Sequence, residues 1–165
     1  MDFDVFYRDT SRRLARYAYG LTGDPGEAQD LVQEAYARAW QRRHRLAGYE
    51  DPEGWLRVVV NRLATDRWRR LGVRRNAAGA APPPDPVAPP SEDVVLLVRA
   101  MRALPVAHRR ALALHYLLDR SVAEIAAETG VPTGTVKSWL SRGRAALAAE
   151  LGATTDEPEG AGHVR

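Results

Sequence analysis

SVAEIAAETGVPTGTVKSWLSRGRAAL, residues 121 to 147, reads as two helices joined by a tight turn. Gly130 supplies the left-handed residue that ends the first helix. Ile125, Val131, Val136 and Leu140 recur at helical spacing and should pin the second helix to a core, with Ala126 small where the helices cross. Thr133 is placed to cap that second helix. Lys137, Ser138, Ser141 and Arg142 then fall on its polar face, with donors suited to base edges and phosphates in a major groove. The layout is that of a helix-turn-helix. A plain helical hairpin with polar residues outside is the competing reading.

Upstream of this motif the pattern stays helical. Val94 to Leu104 and Val106 to Leu118 make a helical pair broken at Pro105. Before them lies AAGAAPPPDPVAPPSED, Ala77 to Asp93, which holds six of the eleven prolines. Such a stretch cannot build a core and is expected to be an extended linker over residues 73–93. At about 3.1 Å per residue it would reach roughly 65 Å, about 20 base pairs of duplex at 3.4 Å per step. Further upstream, helices are expected over Phe3–Leu21, from Pro25 onward, and over Pro52–Leu71, with Leu46–Glu53 as a loop. Asp24, Pro25 and Glu27 form a strong start signal for the second of these. In the third, Trp55, Leu56 and Val59 are expected in the core. No segment alternates as a strand would, so the fold class is all-α. Two small helical domains, 1–72 and 94–152, should fold independently, flanked by a disordered tail at 153–165.

Charge repeats this division. Residues 1–75 carry 15 Arg against 11 acids, +4, and residues 94–152 carry 8 basic against 4 acidic groups, again +4. The intervening 76–93 is −3 and the tail −2, which brings the whole to +3. Two basic bodies on an acidic connector suit a polyanion, although ordinary solvated charge gives the same sums. The absence of Cys excludes disulfides and Cys-based zinc sites. The four His are scattered, with no metal-binding spacing, phosphate loop or nucleophile elbow. Neither a metal, a cofactor nor an enzyme is expected. With no apolar run long enough for a bilayer and no signal-peptide pattern, a cytoplasmic location is expected.

Leu104-Pro105, Arg109, Leu114 and Tyr116, then S-x-x-E-I-A at 121–126, G-V-P at 130–132, G-T-V-K-S at 134–138 and S-R-G-R at 141–144 follow one another in order. This series resembles the C-terminal domain of bacterial RNA polymerase sigma factors of the extracytoplasmic-function (ECF) class. The actinobacterial sigma-E-like subgroup is the most similar. The resemblance implies that this half reads the −35 promoter element through Lys137, Ser138, Ser141 and Arg142, with Arg144 on phosphate. DPGEAQDLVQEAYARAW, Asp24 to Trp40, is similar to the helix with which these factors grip the coiled coil of the polymerase β′ subunit. Asp30, Gln33 and Glu34 are the matching positions, a carboxylate and amide row suited to a basic partner. The same row would also serve as the solvated face of an amphipathic helix.

DPEGWLRVVVNRLATDRWRR, Asp51 to Arg70, resembles the family's promoter-melting and −10-reading segment. The implied DNA-facing residues are Arg57, Asn61, Arg62, Arg69 and Arg70. Tyr49, in the preceding loop, is placed either to stack a flipped base or to pack on its own domain. Trp68 is open to the same two readings. The implied partners are core RNA polymerase (β′ coiled coil and β flap), promoter DNA and an anti-sigma factor, with no membrane. The rival to this reading is a polymerase-independent helix-turn-helix regulator, which would need a dimerisation helix that the sequence does not offer. A helical adaptor for proteins alone leaves the recognition helix unexplained.

Overall fold

A computed structural model describes residues 1–74 and 91–155, all of whose regular elements are helical. Helix α1 (Phe3–Thr22) opens on Asp2, whose carboxylate accepts from the Asp4 and Val5 amides, and closes on Gly23 at φ 71°. Asp24 then caps α2 (Pro25–Gln41), its carboxylate accepting from the amides of Gly26 and Glu27. The Glu27 side chain does not complete a capping box. It turns away to accept from the Trp68 indole at 3.0 Å. A single turn, α3 (Arg43–Leu46), leads to α4 (Pro52–Arg74), whose start is fixed by the Asp51 carboxylate on the Gly54 amide at 2.8 Å.

Leu14, Tyr17 and Leu21 of α1, Leu31 and Ala35 of α2, and Leu56, Val60 and Ala64 of α4 close the N-terminal core. Each fully buried aliphatic side chain there contributes about 1.5–3 kcal/mol. Of the three residues expected in this core, Leu56 and Val59 are buried while Trp55 lies half-exposed at its edge. The buried Thr10 and Tyr36 hydroxyls satisfy each other through a 2.7 Å bond.

The second half comprises α5 (Glu92–Met101), α6 (Val106–Leu112), a π-helical turn (Ala113–Leu117), α7 (Val122–Thr129) and α8 (Thr133–Thr155). Here the true capping box appears: Ser121 accepts from the Glu124 amide while the Glu124 carboxylate accepts from the Ser121 amide. Three expectations are amended. Thr133 is the first helical residue of α8 and not its cap, and α5 begins inside the stretch expected to be linker. The helix expected to run unbroken to Leu118 widens into the π turn, which closes with Asp119 at φ 52° and the Arg120 amide on the Leu114 carbonyl. The remainder of the expected linker and the end of the tail lie outside the described residues.

Leu112, Leu114, Ile125, Val136 and Leu140 form the second core, and it is continuous with the first. The two halves meet where Gly20 of α1 faces Ala113 and Leu117. A Cβ at position 20 would stand 2.7 Å from the Leu117 Cδ1 atom. Beside it the Arg109 Nη1 donates to the Leu21 carbonyl at 3.0 Å, and its guanidinium lies 5.0 Å over the Trp68 ring. Burial and the nearby Arg102 lower the Arg109 pKa. Arg109 thus satisfies one of the carbonyls that the end of α1 leaves without a helical partner.

Candidate nucleic-acid interface

On α8, Val136, Leu140 and Gly143 are buried at positions i, i+4 and i+7, so the opposite face is set by geometry. Ser138, Ser141 and Arg142 lie on it with Lys137 and Arg144 along its flank; all are exposed except Ser138, which is half-buried. Gly143 is small for a local reason: a Cβ there would stand 2.8 Å from Leu112 Cδ1. Gly130, at φ 73°, has open space around it, so only its backbone conformation calls for glycine. Among the described residues Lys137 and Arg142 make no ion pair, leaving both heads free for an anionic ligand. Arg144 is tethered by a 3.2 Å bond to the Tyr116 hydroxyl, which aims it along the side of the helix.

The polar row of α2 is exposed as its amphipathic pattern requires. Asp30 lies 3.9 Å from Arg67, Glu34 pairs with Arg38 at 2.7 Å, and Gln33 is exposed between them. On α4, Arg62, Arg69 and Arg70 are exposed, while Asn61 is half-buried with its Oδ1 making no hydrogen bond. Tyr49 sits between α3 and α4 at 46% exposure. Trp68 is half-buried, held by Glu27 and covered by Arg109, which settles it as packing. Burial pushes the Glu27 carboxyl up from its ordinary value, and the indole N–H partly offsets this.

Arg57 departs from expectation. It was read as facing DNA, yet its side chain is 2% exposed and points into the seam with the second half. It shares a stripe with Val60 and Ala64, three and seven residues on, both fully buried. Its Nε donates to Glu128 of α7 at 2.6 Å and its Nη2 to Asp51 at 3.2 Å, with Glu53 3.9 Å from Nη1. Glu53 is itself held in a bidentate pair by Arg13. Glu128, the partner from the second half, leaves no local pattern because it lies 71 residues away.

One exposed feature also escaped the sequence reading. Arg42, His44 and Arg45 are exposed around α3, and the Arg43 guanidinium lies 4.1 Å over the exposed Trp40 ring. The run QRRHRL at 41–46 was the available signal. The lines from Trp40 to Tyr49 and from Arg62 to Arg70 join basic and aromatic groups on the N-terminal half, a composition suited to single-stranded nucleic acid.

Residues 6–74 match the family model of sigma-70 region 2, and residues 95–147 that of sigma-70, region 4. ECF RNA polymerase sigma factor SigL of Mycobacterium tuberculosis is 34% identical over 144 residues, spanning 82% of this chain and 81% of that protein. The RNA polymerase sigma-E factor of Streptomyces coelicolor is 32% identical over 153 residues, spanning 92% and 86%. Among solved structures, RpoE of Bartonella quintana in complex with the anti-sigma factor NepR matches with a TM-score of 0.77 at 24% identity. It covers 92% of this chain and 97% of that one, a likeness of fold.

Proposed function

The chain belongs to the ECF class of RNA polymerase sigma factors, and on that premise we propose how its residues divide the work. As a sigma factor it binds core RNA polymerase and directs promoter-specific initiation at −10 and −35 elements. Residues 1–72 dock on the β′ coiled coil through Asp30, Gln33 and Glu34. They hold the opened −10 strand with Tyr49, Asn61, Arg62, Arg69 and Arg70. Residues 94–152 meet the β flap and anchor duplex −35 DNA with Lys137, Ser138, Ser141, Arg142 and Arg144. The limits of the two matched regions, 74 and 95, support this division.

The observation that carries the reading is the face of α8. Its basic and hydroxyl side chains project outward from a turn with helix-turn-helix geometry. No covalent chemistry is required: binding energy released on the captured strand offsets lost stacking, so the protein acts as a cytoplasmic factor and not an enzyme. An anti-sigma factor is the fitting negative partner, as NepR is for RpoE.

Reconstitution tests this directly. Core polymerase alone should give no specific run-off transcript, and addition of the chain should produce one from a promoter carrying both elements. The chain should also co-purify with core polymerase. A chain that bound its DNA site equally well with and without polymerase, and gave no transcript, would be an ordinary regulator.

A further inference from the structure

The seam between the halves has two unlike edges. One is apolar and close-packed, with Gly20 against Ala113 and Leu117. The other is built of charge: Arg13, Asp51, Glu53 and Arg57 from the first half face Arg120, Glu124 and Glu128 from the second. Open cavities of about 380 and 170 Å³ run between these groups. The charged edge has the character of a surface that closes on itself.

At its centre lies Arg57, 2% exposed, bonded to Glu128 at 12% exposure across 2.6 Å. Arg57 Nη1 is buried with no acceptor. The guanidinium therefore carries the cost of burial without its full set of hydrogen bonds. Asp51 and Glu53 belong to the same half as Arg57 and stay with it however the halves move. Glu128 is the one carboxylate bonded to it that comes from the second half. From these observations we infer that the Arg57–Glu128 pair is a latch. It holds the free chain closed by tying α7 to the first turns of α4.

The pair is well placed for that role because each partner keeps company when it opens. Arg57 retains two carboxylates, and Glu128 returns to solvent on the exposed side of α7. Loss of one partner in the closed state instead strands a buried charge, which weakens such an interface by about a hundredfold or more. Closure leaves the α8 face exposed but buries Arg57, while Gly54 and Val58 line the cleft beside it at the head of α4. The consequence for promoter capture rests on the function proposed above. The latch itself does not.

The chain has no cysteine, so Ala37→Cys and Ala148→Cys, both at exposed positions, give a specific pair of dye sites. Single-molecule energy transfer in the full chain, without DNA or polymerase, should show a high-transfer population. Glu128→Gln should lower the closed-to-open ratio at least tenfold. Arg57→Gln, which removes the pair from the other side, should do the same. Helical circular dichroism checks each variant, and either one that folds decides the matter. A wild-type chain already at low transfer, or a folded variant with an unchanged distribution, overturns the latch. A single-stranded −10 oligonucleotide added afterwards reads the consequence. Tighter binding by Glu128→Gln supports a strand path that extends onto the head of α4, where closure buries Arg57. Unchanged binding, with the chain opened, keeps the latch and removes strand capture from what it controls.

Discussion

Helices α4 and α8 are each 23 residues long, and each carries basic residues expected to meet DNA. They differ in what lies against them. On α8 every residue expected to meet DNA is exposed except Ser138, which is half-buried, because the inner stripe of Val136, Leu140 and Gly143 takes all the packing. On α4 the stripe of Leu56, Val60 and Ala64 packs on its own half, and Arg57 on the same side is covered by another. A helix packed on one side keeps a polar face that its own periodicity describes. A helix packed on two sides does not, and its charged residues then answer to partners distant in sequence.

The contrast can be broken most forcefully at α2, where the row of Asp30, Gln33 and Glu34 is exposed like that of α8. Asp30→Lys with Glu34→Lys should abolish co-purification with core polymerase, a loss of about a thousandfold from repulsion at a desolvated interface. Circular dichroism should stay helical, since substitutions off an apolar stripe change stability by less than about 0.5 kcal/mol. A folded double variant that still drives transcription would remove the docking role from this face.

Next in size is Leu112→Ala. Leu112 is 2% exposed and rests on the Gly143 backbone, so its truncation should cost about 2–5 kcal/mol. Unfolding followed separately at the tryptophans of α4 and at Trp139 of α8 sharpens the comparison. Signals that shift together would mark one cooperative unit, and two separate midpoints would mark the independent folding expected from sequence.

Smaller effects belong to the exposed face of α8. Arg142→Ala should lose discrimination at a −35 base pair by about 1–3 kcal/mol, read by competition between matched and mutated sites. Arg144→Ala should weaken all sequences alike and flatten the salt dependence. Equal loss across every site for both variants would mean that α8 does not lie in the groove as supposed. Smallest is Ser121→Ala, which removes one arm of the capping box and should cost about 1 kcal/mol in thermal or urea unfolding.

What was legible in the sequence followed from local physics. Asp24-Pro25 marked a helix start and Gly130 a helix end, and each appears where the pattern put it. The α8 face was readable for the same reason, its spacing being fixed within one helix. Thr133 misled because threonine serves equally as a cap or a first helical residue. The π turn at Ala113–Leu117 carries no residue signature, since Ala, Leu, His and Tyr suit an α-helix as well. Arg57, Arg109 and Trp68 were misjudged or left open because their surroundings come from the other half of the chain.

Gly20 shows what that dependence does to inheritance. Nothing within α1 calls for a residue without a side chain there. The space at that point is taken by Leu117, 97 positions later, in a half matched by a different family model. A change at either position alters what the other can be, so exchanging one half for that of a relative transplants half of a lock. Chimaeras that carry alanine or larger at position 20 should regain closure only when position 117 shrinks with it, a coupling that paired substitutions would record.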